Sequence, residues 1–338
     1  MICIAVLSGN VISVFAEQTT KQVEVSTPQC MLVLGDSIST GCGLANYKKG
    51  NNYNTQSYAN LLAKKYKLSQ DNDYYNYAID GQTSLELYSR VKSGNYDKYI
   101  KKSDLILISI GGNDLLSALL TFVKDTMGES FTGQETEVNF DFTEPDILND
   151  LNKMVQTISN NITKLKGNLI GITDEIYEIN PNAEIVFQTV YNPLDGLALK
   201  IPSLLTDVFI SRIDEVNRII KMNSTTNDNK QRYNVADVYT SFTGKSAELT
   251  NISETDVHPN SKGHEKISEC IDNIVVEKTF LASITVNEAI PKTHTASRVK
   301  ESPLFTPMII MISLVLIIAV LALIIILRKR KKYSIKRY

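Results

Sequence analysis

The 338-residue chain is poor in the residues that build disulfide frameworks and metal centres. It has four cysteines and three histidines, and Cys3 lies in an N-terminal segment that we expect to be removed. The other cysteines, Cys30, Cys42 and Cys270, are too few for a disulfide-stapled fold; free thiols are the simpler assignment, and a Cys30–Cys270 bridge is the alternative. No cysteine or histidine stands at the spacing of a metal-ligating motif. The sequence therefore predicts neither a metal nor a cofactor.

An excess of positive charge is also missing from most of the chain. The sequence has 35 basic and 37 acidic residues, and seven of the basic ones lie in the C-terminal segment 328–338. The rest therefore carries 28 basic and 37 acidic residues, a net charge of about −9. An acidic surface repels polyanions, which argues against binding to nucleic acid or to an anionic surface.

Polar residues are nearly absent from Met308–Leu327, which reads MIIMISLVLIIAVLALIIIL and has Ser313 as its only polar member. At about 1.5 Å of rise per residue this segment spans roughly 30 Å, the thickness of one hydrocarbon core. A water-soluble helix has no need of an apolar surface on every face. The basic segment 328–338 follows at once, and the positive-inside rule puts such a segment in the cytoplasm. We therefore predict a transmembrane helix over 308–327, with the preceding domain outside the cell.

Lysine and arginine are absent before Lys21, so the apolar N-terminus lacks the basic start of a usual signal peptide. It nevertheless ends on Val14-Phe15-Ala16, which suits cleavage by signal peptidase after Ala16. We predict a signal peptide over residues 1–16. The alternative is a first strand, but the polar stretch that follows offers such a strand nothing to pair with.

Strands and helices alternate between these two ends. Five apolar runs are predicted as strands: 30–34, 74–79, 104–110, 184–191 and 233–238. The first run shows no alternation of polar and apolar residues, as a strand buried on both faces requires. Helical spacing of apolar residues occupies most of the segments between the runs. This order predicts an α/β domain over 28–280, with a mostly parallel sheet covered by helices on both faces.

Three further segments are predicted from their composition. Residues 125–145 are polar, contain glycine and show no period, so we expect a loop insertion there. Residues 146–179 have a long helical period that a break at Lys166-Gly167-Asn168 would interrupt. After the domain the period fades, and we assign a stalk to 283–306.

Polar residues follow the predicted strands at the points where they end. Ser37 follows the first strand, Gly81 the second and Asn113 the third, and the carboxyl ends of parallel strands meet at one edge of a sheet. A serine nucleophile needs a base for its proton and donors for the oxyanion. His258, just before the last predicted helix, has a suitable pKa for that base. Taken alone, Ser37 is equally suited to cap a helix.

Four short blocks of the sequence resemble the SGNH, or GDSL-type, lipases and acylhydrolases. The blocks, which span a region of roughly 29–277, are Gly35-Asp36-Ser37-Ile38, Asn76-Tyr77-Ala78-Ile79-Asp80-Gly81, Gly111-Gly112-Asn113-Asp114 and Val257-His258-Pro259-Asn260. The resemblance implies a three-layer α/β/α, flavodoxin-like fold and a carboxylic ester hydrolase. It implies that Ser37 is the nucleophile and His258 the catalytic histidine. It also implies an oxyanion hole made by the Ser37 amide, Gly81 and Asn113.

The last block departs from the family pattern at the acid. The family usually has an aspartate three residues before the histidine, and this position is Thr255 here. Asp256 stands two residues before His258, and residues two apart in an extended segment point to the same side. We therefore expect Asp256 to orient the His258 ring; the alternative is a backbone carbonyl and a catalytic dyad.

Other polar residues near these blocks are given structural roles. Asp36 and Asp114 are expected to tie loop amides rather than to take part in catalysis. Cys42 lies close to Ser37 in sequence, but a thiol nucleophile there would lack a second histidine. His264, on the last predicted helix, is expected to be solvated.

These features together predict an extracellular, membrane-anchored serine esterase or lipase. The sequence does not distinguish a lipid ester from an acylated glycan as the substrate. If a sugar hydroxyl accepted the acyl group, the same site would be an acyltransferase. The alternative from another class is a non-catalytic surface binding protein on an esterase fold. A binding module has no need of serine, glycine, asparagine and histidine together, so we favour the enzyme.

Overall fold

The computed structural model describes residues 16–127, 145–193, 195, 203–252 and 256–289. The strands within these ranges are β1 (Ala16–Val25), β2 (Met31–Gly35), β3 (Tyr74–Asn76), β4 (Leu105–Ser109), β5 (Glu184–Gln188), β6 (Asn234–Ala236) and β7 (Phe280–Ala289). The helices are α1 (Ser37–Thr40), α2 (Tyr58–Tyr66), α3 (Ser84–Lys92), α4 (Asp97–Ile100), α5 (Gly112–Met127), α6 (Pro145–Ile179), α7 (Ser203–Met222), α8 (Val238–Phe242), α9 (Ser246–Leu249) and α10 (Ser261–Val275).

Five strands form one sheet in the order β3-β2-β4-β5-β6, and every neighbouring pair is parallel. The predicted five-stranded, mostly parallel sheet is confirmed, and all of its strand pairs are parallel. The chain passes from β2 to β3 on one side and then crosses to β4 on the other. The strand order therefore reverses between β2 and β4, and open α/β sheets bind their ligands beside such a reversal.

Alternate side chains of each strand face two different layers of helices. In β2, Leu32 and Leu34 face the core built with α3, α5, α6 and α7, whereas Met31 and Val33 face α2, α8 and α10. All four side chains are completely buried. The lack of polar alternation in this strand follows directly from the two covered faces. The predicted three-layer α/β/α arrangement is confirmed.

Helix α6 runs without interruption through Lys166-Gly167-Asn168, so the predicted break is wrong. Leu165 and Leu169 are completely buried in the core. Asn168 is buried as well, and its Nδ2 donates to Ser84 Oγ at 2.9 Å. Packing on both sides of Gly167 therefore outweighs the low helix propensity of that one residue.

Strands β1 and β7 form a separate two-stranded sheet. Gln22 Nε2 in β1 donates to Ser283 Oγ in β7 at 2.8 Å, between residues 261 apart in the chain. The polar stretch after Ala16 therefore has a pairing partner, contrary to the expectation from the sequence. Residues 283–289, the first part of the predicted stalk, belong to β7.

The cysteines within the described ranges are free, so the alternative of a Cys30–Cys270 bridge is wrong. Cys30 Sγ lies 3.6 Å from Ser103 Oγ, and Cys270 Sγ lies 3.0 Å from Ser241 Oγ.

Several predicted segments lie outside the described residues. They are signal-peptide residues 1–15, most of the loop insertion 125–145, the stalk from 290 to 306, the transmembrane helix 308–327 and the basic segment 328–338. In the part of the chain that is described, no helix is long and apolar enough to cross a membrane.

A matched pair of glycine substitutions tests the continuity of α6. Gly167 is exposed, and a Cβ there would meet no heavy atom within 4 Å, whereas a Cβ at Gly171 would lie 2.5 Å from the Tyr88 ring. We expect Gly167→Ala to raise the free energy of unfolding by about 1 kcal/mol, because glycine destabilises a helix interior. Gly171→Ala should lower it through overpacking. Urea unfolding followed by circular dichroism measures both, and a loss of stability in Gly167→Ala would contradict an unbroken helix.

Candidate active site

The turn after β2 brings the backbone of two strands into close contact. Gly35 has a φ of +120°, and a Cβ there would lie 1.9 Å from the carbonyl oxygen of Ser109 in β4. Only glycine permits this approach. The amide of Asp36 donates to the same carbonyl oxygen at 3.0 Å. The turn that carries Ser37 is therefore held to β4 by its backbone.

Asp36, and not Ser37, caps helix α1. Asp36 Oδ1 accepts from the amide of Ile38 at 3.2 Å and from Ser109 Oγ at 2.9 Å. Burial raises the pKa of Asp36 to about 7, against the opposing effect of these hydrogen bonds. The capping alternative for Ser37 is wrong, and the structural role predicted for Asp36 is confirmed. Ser37 is the first residue of the helix, so its hydroxyl is available to another partner.

A line of hydrogen bonds joins Ser37, His258 and Asp256. His258 Nε2 lies 2.9 Å from Ser37 Oγ, and His258 Nδ1 is hydrogen-bonded to Asp256 Oδ1. The same carboxylate oxygen accepts the backbone amide of His258 at 3.1 Å. In the structure Asp256, rather than a backbone carbonyl, faces the ring from two residues upstream. Thr255 lies outside the described residues.

Opposing effects act on the charge of His258. Burial lowers its pKa, whereas hydrogen bonds and charge interactions with Cys42 and Asp256 raise it, and the net value is about 9. Cys42 thus lies beside the ring that serves Ser37. A carboxylate at Nδ1 stabilises the imidazolium that forms when Nε2 takes a proton from the serine. The arrangement therefore strengthens His258 as a base.

Three donors that the sequence assigns to the oxyanion hole are free or partly free of intramolecular partners in the described part of the chain. The amides of Ser37 and Gly81 have no hydrogen-bond acceptor among the described residues. Gly81 has a φ of +74°, in the left-handed region that glycine enters without strain. Asn113 Nδ2 donates to the carbonyl of Gln82 at 3.2 Å, which leaves its second hydrogen available. Donors held in place by a folded backbone are what a developing oxyanion requires.

An apolar cleft opens at Ser37 and His258 and follows the carboxyl ends of β4 and β5. It encloses about 710 Å³, part of it open to solvent. Its apolar walls include Ile110, Leu115, Leu116, Val190, Phe209 and Ile213. Tyr191 also lines it, and its hydroxyl donates to the carbonyl of Val257 at 2.6 Å, directly before His258. The wall of the cleft is thus hydrogen-bonded to the segment that carries His258.

Asn251 supports the site although no sequence motif singled it out. Its backbone amide donates to the carbonyl of His258 at 2.9 Å, and its own carbonyl accepts from the amide of Asp256 at 3.3 Å. Its Nδ2 donates to the carbonyl of Gly43 at 2.9 Å and lies 3.5 Å from Asp256 Oδ2. Asn251 therefore ties the acid and the base to the loop after α1. The only feature of the sequence that could have indicated this role is that Asn251 lies near His258 in the chain.

His264 is completely buried, so the expectation of a solvated side chain is wrong. Its Nδ1 accepts from the backbone amide of Tyr58 at 3.2 Å, and burial lowers its pKa to about 3. The ring therefore stays neutral and joins α10 to α2. The error arose because α2 lies about two hundred residues away in the chain, beyond the reach of local patterns.

Asp114 has the structural role that the sequence predicted. It accepts from the amide of Ser84 at 2.9 Å and from Ser84 Oγ at 2.6 Å, which anchors the start of α3. Burial raises the pKa of this carboxyl.

Across the described ranges, no group of three or more histidine, cysteine, aspartate or glutamate side chains is placed to hold a metal ion.

The charge of Asp256 has a measurable effect on pH dependence. His258 acts as a base only when neutral, so kcat/KM rises with pH through its pKa. Because Asp256 raises that pKa, we expect Asp256→Asn to shift this rising limb towards lower pH. We also expect kcat to fall at least about tenfold, since the imidazolium loses its partner.

Hydrolysis of a p-nitrophenyl ester across pH measures both effects. Asn251→Ala is the companion variant, and a smaller fall in kcat at nearly constant KM is expected because Asp256 keeps its charge. If the Asp256→Asn enzyme kept the parent's rate and pH profile, Asp256 would have no catalytic role.

Comparisons with known proteins identify the family of this chain. The family model described as GDSL-like Lipase/Acylhydrolase matches residues 31–271, from the first residue of β2 into α10. The protein YpmR of Bacillus subtilis (strain 168) is 23% identical over 263 residues, which cover 75% of this chain and 85% of YpmR. The spore germination lipase LipC of Bacillus licheniformis is 24% identical over 246 residues, which cover 70% of this chain and 91% of LipC.

The solved structure of phospholipase A1 from Streptomyces albidoflavus NA297 has the same fold. The two chains are 18% identical with a TM-score of 0.53, and the match covers 73% of this chain and 99% of the phospholipase. The family model spans more than half of the sequence and includes all four blocks around Ser37, Gly81, Asn113 and His258. This chain therefore belongs to the GDSL-like lipase/acylhydrolase family and is a GDSL-type carboxylic ester hydrolase.

Proposed function

We propose that this protein is a membrane-anchored serine esterase or lipase that cleaves acyl esters outside the cell, with Ser37 as its nucleophile. The observation that carries the proposal is the hydrogen-bonded line Ser37–His258–Asp256 at the mouth of the apolar cleft. Such a line supplies a nucleophile, its base and the group that orients the base.

The proposed reaction begins with attack by Ser37 Oγ on the ester carbonyl carbon, while His258 Nε2 takes the hydroxyl proton. The oxyanion accepts hydrogen bonds from the amides of Ser37 and Gly81 and from Asn113 Nδ2. The carbon–oxygen bond to the alcohol then breaks, and His258 gives the proton to the departing oxygen. Water attacks the acyl-serine with His258 again as the base, which releases the acid and restores Ser37.

The apolar cleft is suited to the acyl chain of the ester. Each methylene buried there contributes about 0.8 kcal/mol, so an acyl chain that fills the cleft binds better than an acetyl group. The leucine, isoleucine and phenylalanine side chains of the walls have no polar groups. An acyl chain can therefore contact them without breaking hydrogen bonds. The kinship with a spore germination lipase supports lipid esters over acetylated glycans.

A series of p-nitrophenyl esters tests the nucleophile and the acyl cleft together. We expect kcat/KM to rise at least about tenfold from acetate to octanoate, because of the added buried methylenes. Ser37→Ala should lower kcat at least about 10³-fold, whereas the matched control Ser93→Ala, at an exposed serine, should match the parent. A serine-directed phosphonate should label the parent and not Ser37→Ala. Equal labelling of the two proteins would place the nucleophile elsewhere.

Membrane anchoring rests on the sequence of the two ends. The apolar segment 308–327 is long enough to span a bilayer, and the basic segment 328–338 favours a cytoplasmic C-terminus. We expect deletion of 307–338 to release active enzyme into the medium. The control deletion of 328–338 alone should leave the enzyme in the membrane fraction. Fractionation followed by esterase assay measures this, and membrane-bound activity after the longer deletion would contradict the proposed anchor.

A further inference from the structure

Tyr191 follows the carboxyl end of β5 and contacts the segment 256–258, which carries His258. Its hydroxyl donates to the carbonyl of Val257 at 2.6 Å, one peptide unit before His258. The side chain is 7% exposed, and its ring stacks on Phe242 of α8 with centroids 4.7 Å apart. The hydroxyl is therefore held in a fixed position beside the base.

The backbone on either side of Tyr191 is bound by buried polar side chains. Before it, Asn217 of α7 accepts from the amide of Val190 at 2.7 Å and donates to the carbonyl of Val190 at 2.8 Å. After it, Ser246 Oγ donates to the carbonyl of Asn192 at 2.6 Å. Asn217 and Ser246 are both buried. The segment 190–192 is thus a rigid support for the Tyr191 ring and its hydroxyl.

Short-range hydrogen bonds join His258 to its acid. The amide of His258 donates to Asp256 Oδ1 at 3.1 Å, and the ring Nδ1 is bonded to the same oxygen. Asn251 bonds to both residues through its backbone, at 2.9 Å to the carbonyl of His258 and at 3.3 Å to the amide of Asp256. These bonds fix the base relative to the acid. They do not fix the pair relative to Ser37, which lies in another part of the chain.

Hydrogen bonds to other parts of the molecule place this pair beside Ser37. Asn251 Nδ2 donates to the carbonyl of Gly43, in the loop after α1, at 2.9 Å. Tyr191 binds the segment 256–258 from the carboxyl edge of the sheet. Ser37 directly follows β2 of the same sheet, so Tyr191 relates the base to the nucleophile through the sheet. The distance in question is the 2.9 Å between His258 Nε2 and Ser37 Oγ.

The Tyr191 hydroxyl keeps its proton near neutral pH. Burial raises its pKa well above the ordinary value, and the negative charges of Asp36 and Asp256 add to this effect. The hydroxyl is therefore a donor wherever His258 is active, and its one hydrogen is bonded to the carbonyl of Val257. It has no proton to give to the reaction, so its contribution is to position the base.

We propose that Tyr191 is a positioning residue, which holds His258 within hydrogen-bond distance of Ser37 through the carbonyl of Val257. This inference rests on the proposed function, in which His258 takes the proton from Ser37. A general base acts only within about 2.6–3.2 Å of the group that it deprotonates. The attack by Ser37 and the later attack by water use the same base, so a displaced ring slows both steps.

Tyr191→Phe in the full-length protein removes the hydroxyl and keeps the ring that lines the apolar cleft. We expect kcat for p-nitrophenyl octanoate to fall at least about tenfold at nearly constant KM, because the cleft keeps its apolar wall. Labelling by a serine-directed phosphonate should slow by a similar factor, since that reaction also uses Ser37 and His258.

Tyr233→Phe is the matched control. Tyr233 is also buried, and its hydroxyl donates to the carbonyl of Ile220 at 2.7 Å. It directly precedes β6, at the opposite edge of the sheet from the site. Each substitution leaves one carbonyl without its hydroxyl donor, so urea unfolding should show a similar loss of stability in the two variants. Only Tyr191→Phe should lose kcat.

The pH profile separates a displaced base from an altered one. Asp256 moves together with His258, so the rising limb of kcat/KM should keep its position in Tyr191→Phe, in contrast to Asp256→Asn. A shifted limb would show that the hydroxyl supports the acid instead, and would overturn the inference. Ser246→Ala loosens the backbone after Tyr191 without removing its hydroxyl. It should give the same pattern with a smaller fall in kcat, about threefold, and it serves as the test if Tyr191→Phe folds poorly.

The remaining outcomes distinguish this inference from the proposed function. The parent's kcat in Tyr191→Phe, or an equal loss of kcat in Tyr233→Phe, would overturn the positioning role. A change confined to KM would do the same, because it would make Tyr191 only a part of the cleft wall. Full activity in Ser37→Ala would sink the proposed function, whatever the Tyr191 variant does. An inactive Ser37→Ala beside a fully active Tyr191→Phe would sink the positioning role alone.

Discussion

The contact between Gly35 and the carbonyl of Ser109 is the constraint on which the active site depends. Because residue 35 has no side chain, β2 ends against β4 and the amide of Asp36 bonds to Ser109. Asp36 is then buried at the start of α1, where its carboxylate caps the helix. The cap leaves the Ser37 hydroxyl available for His258. A serine whose hydroxyl capped its own helix would be a poorer nucleophile. Here Asp36, the residue before Ser37, caps the helix instead.

The carboxylate beside His258 stands one residue closer to it in the chain than the family pattern has it. Asp256 stands two residues before His258, and one of its oxygens accepts both the ring Nδ1 and the backbone amide of that residue. Asn251 closes the same loop through two backbone hydrogen bonds and contacts the second carboxylate oxygen. The position of the carboxylate relative to the ring matters for the chemistry, and its position along the chain does not.

Two clefts of different character lie along the carboxyl edge of the sheet. The chain reverses its direction across the sheet between β2 and β4, so neighbouring loops diverge on the two sides of Ser37. On one side, α5 and α7 contribute leucine, isoleucine and phenylalanine to the apolar cleft. On the other, the segments after α1 and after β3 contribute amide, tyrosine and charged side chains.

The sequence by itself predicted the five-stranded sheet and singled out Ser37, Gly81, Asn113 and His258 as candidate site residues. Buried strands without polar alternation, and polar residues directly after them, are local patterns that any window along the chain reveals. Tertiary structure alone decided the burial of His264 against α2, the pairing of β1 with β7 and the support that Asn251 gives to Asp256. Each of these depends on where other parts of the chain pack, and a local period carries no information about that position.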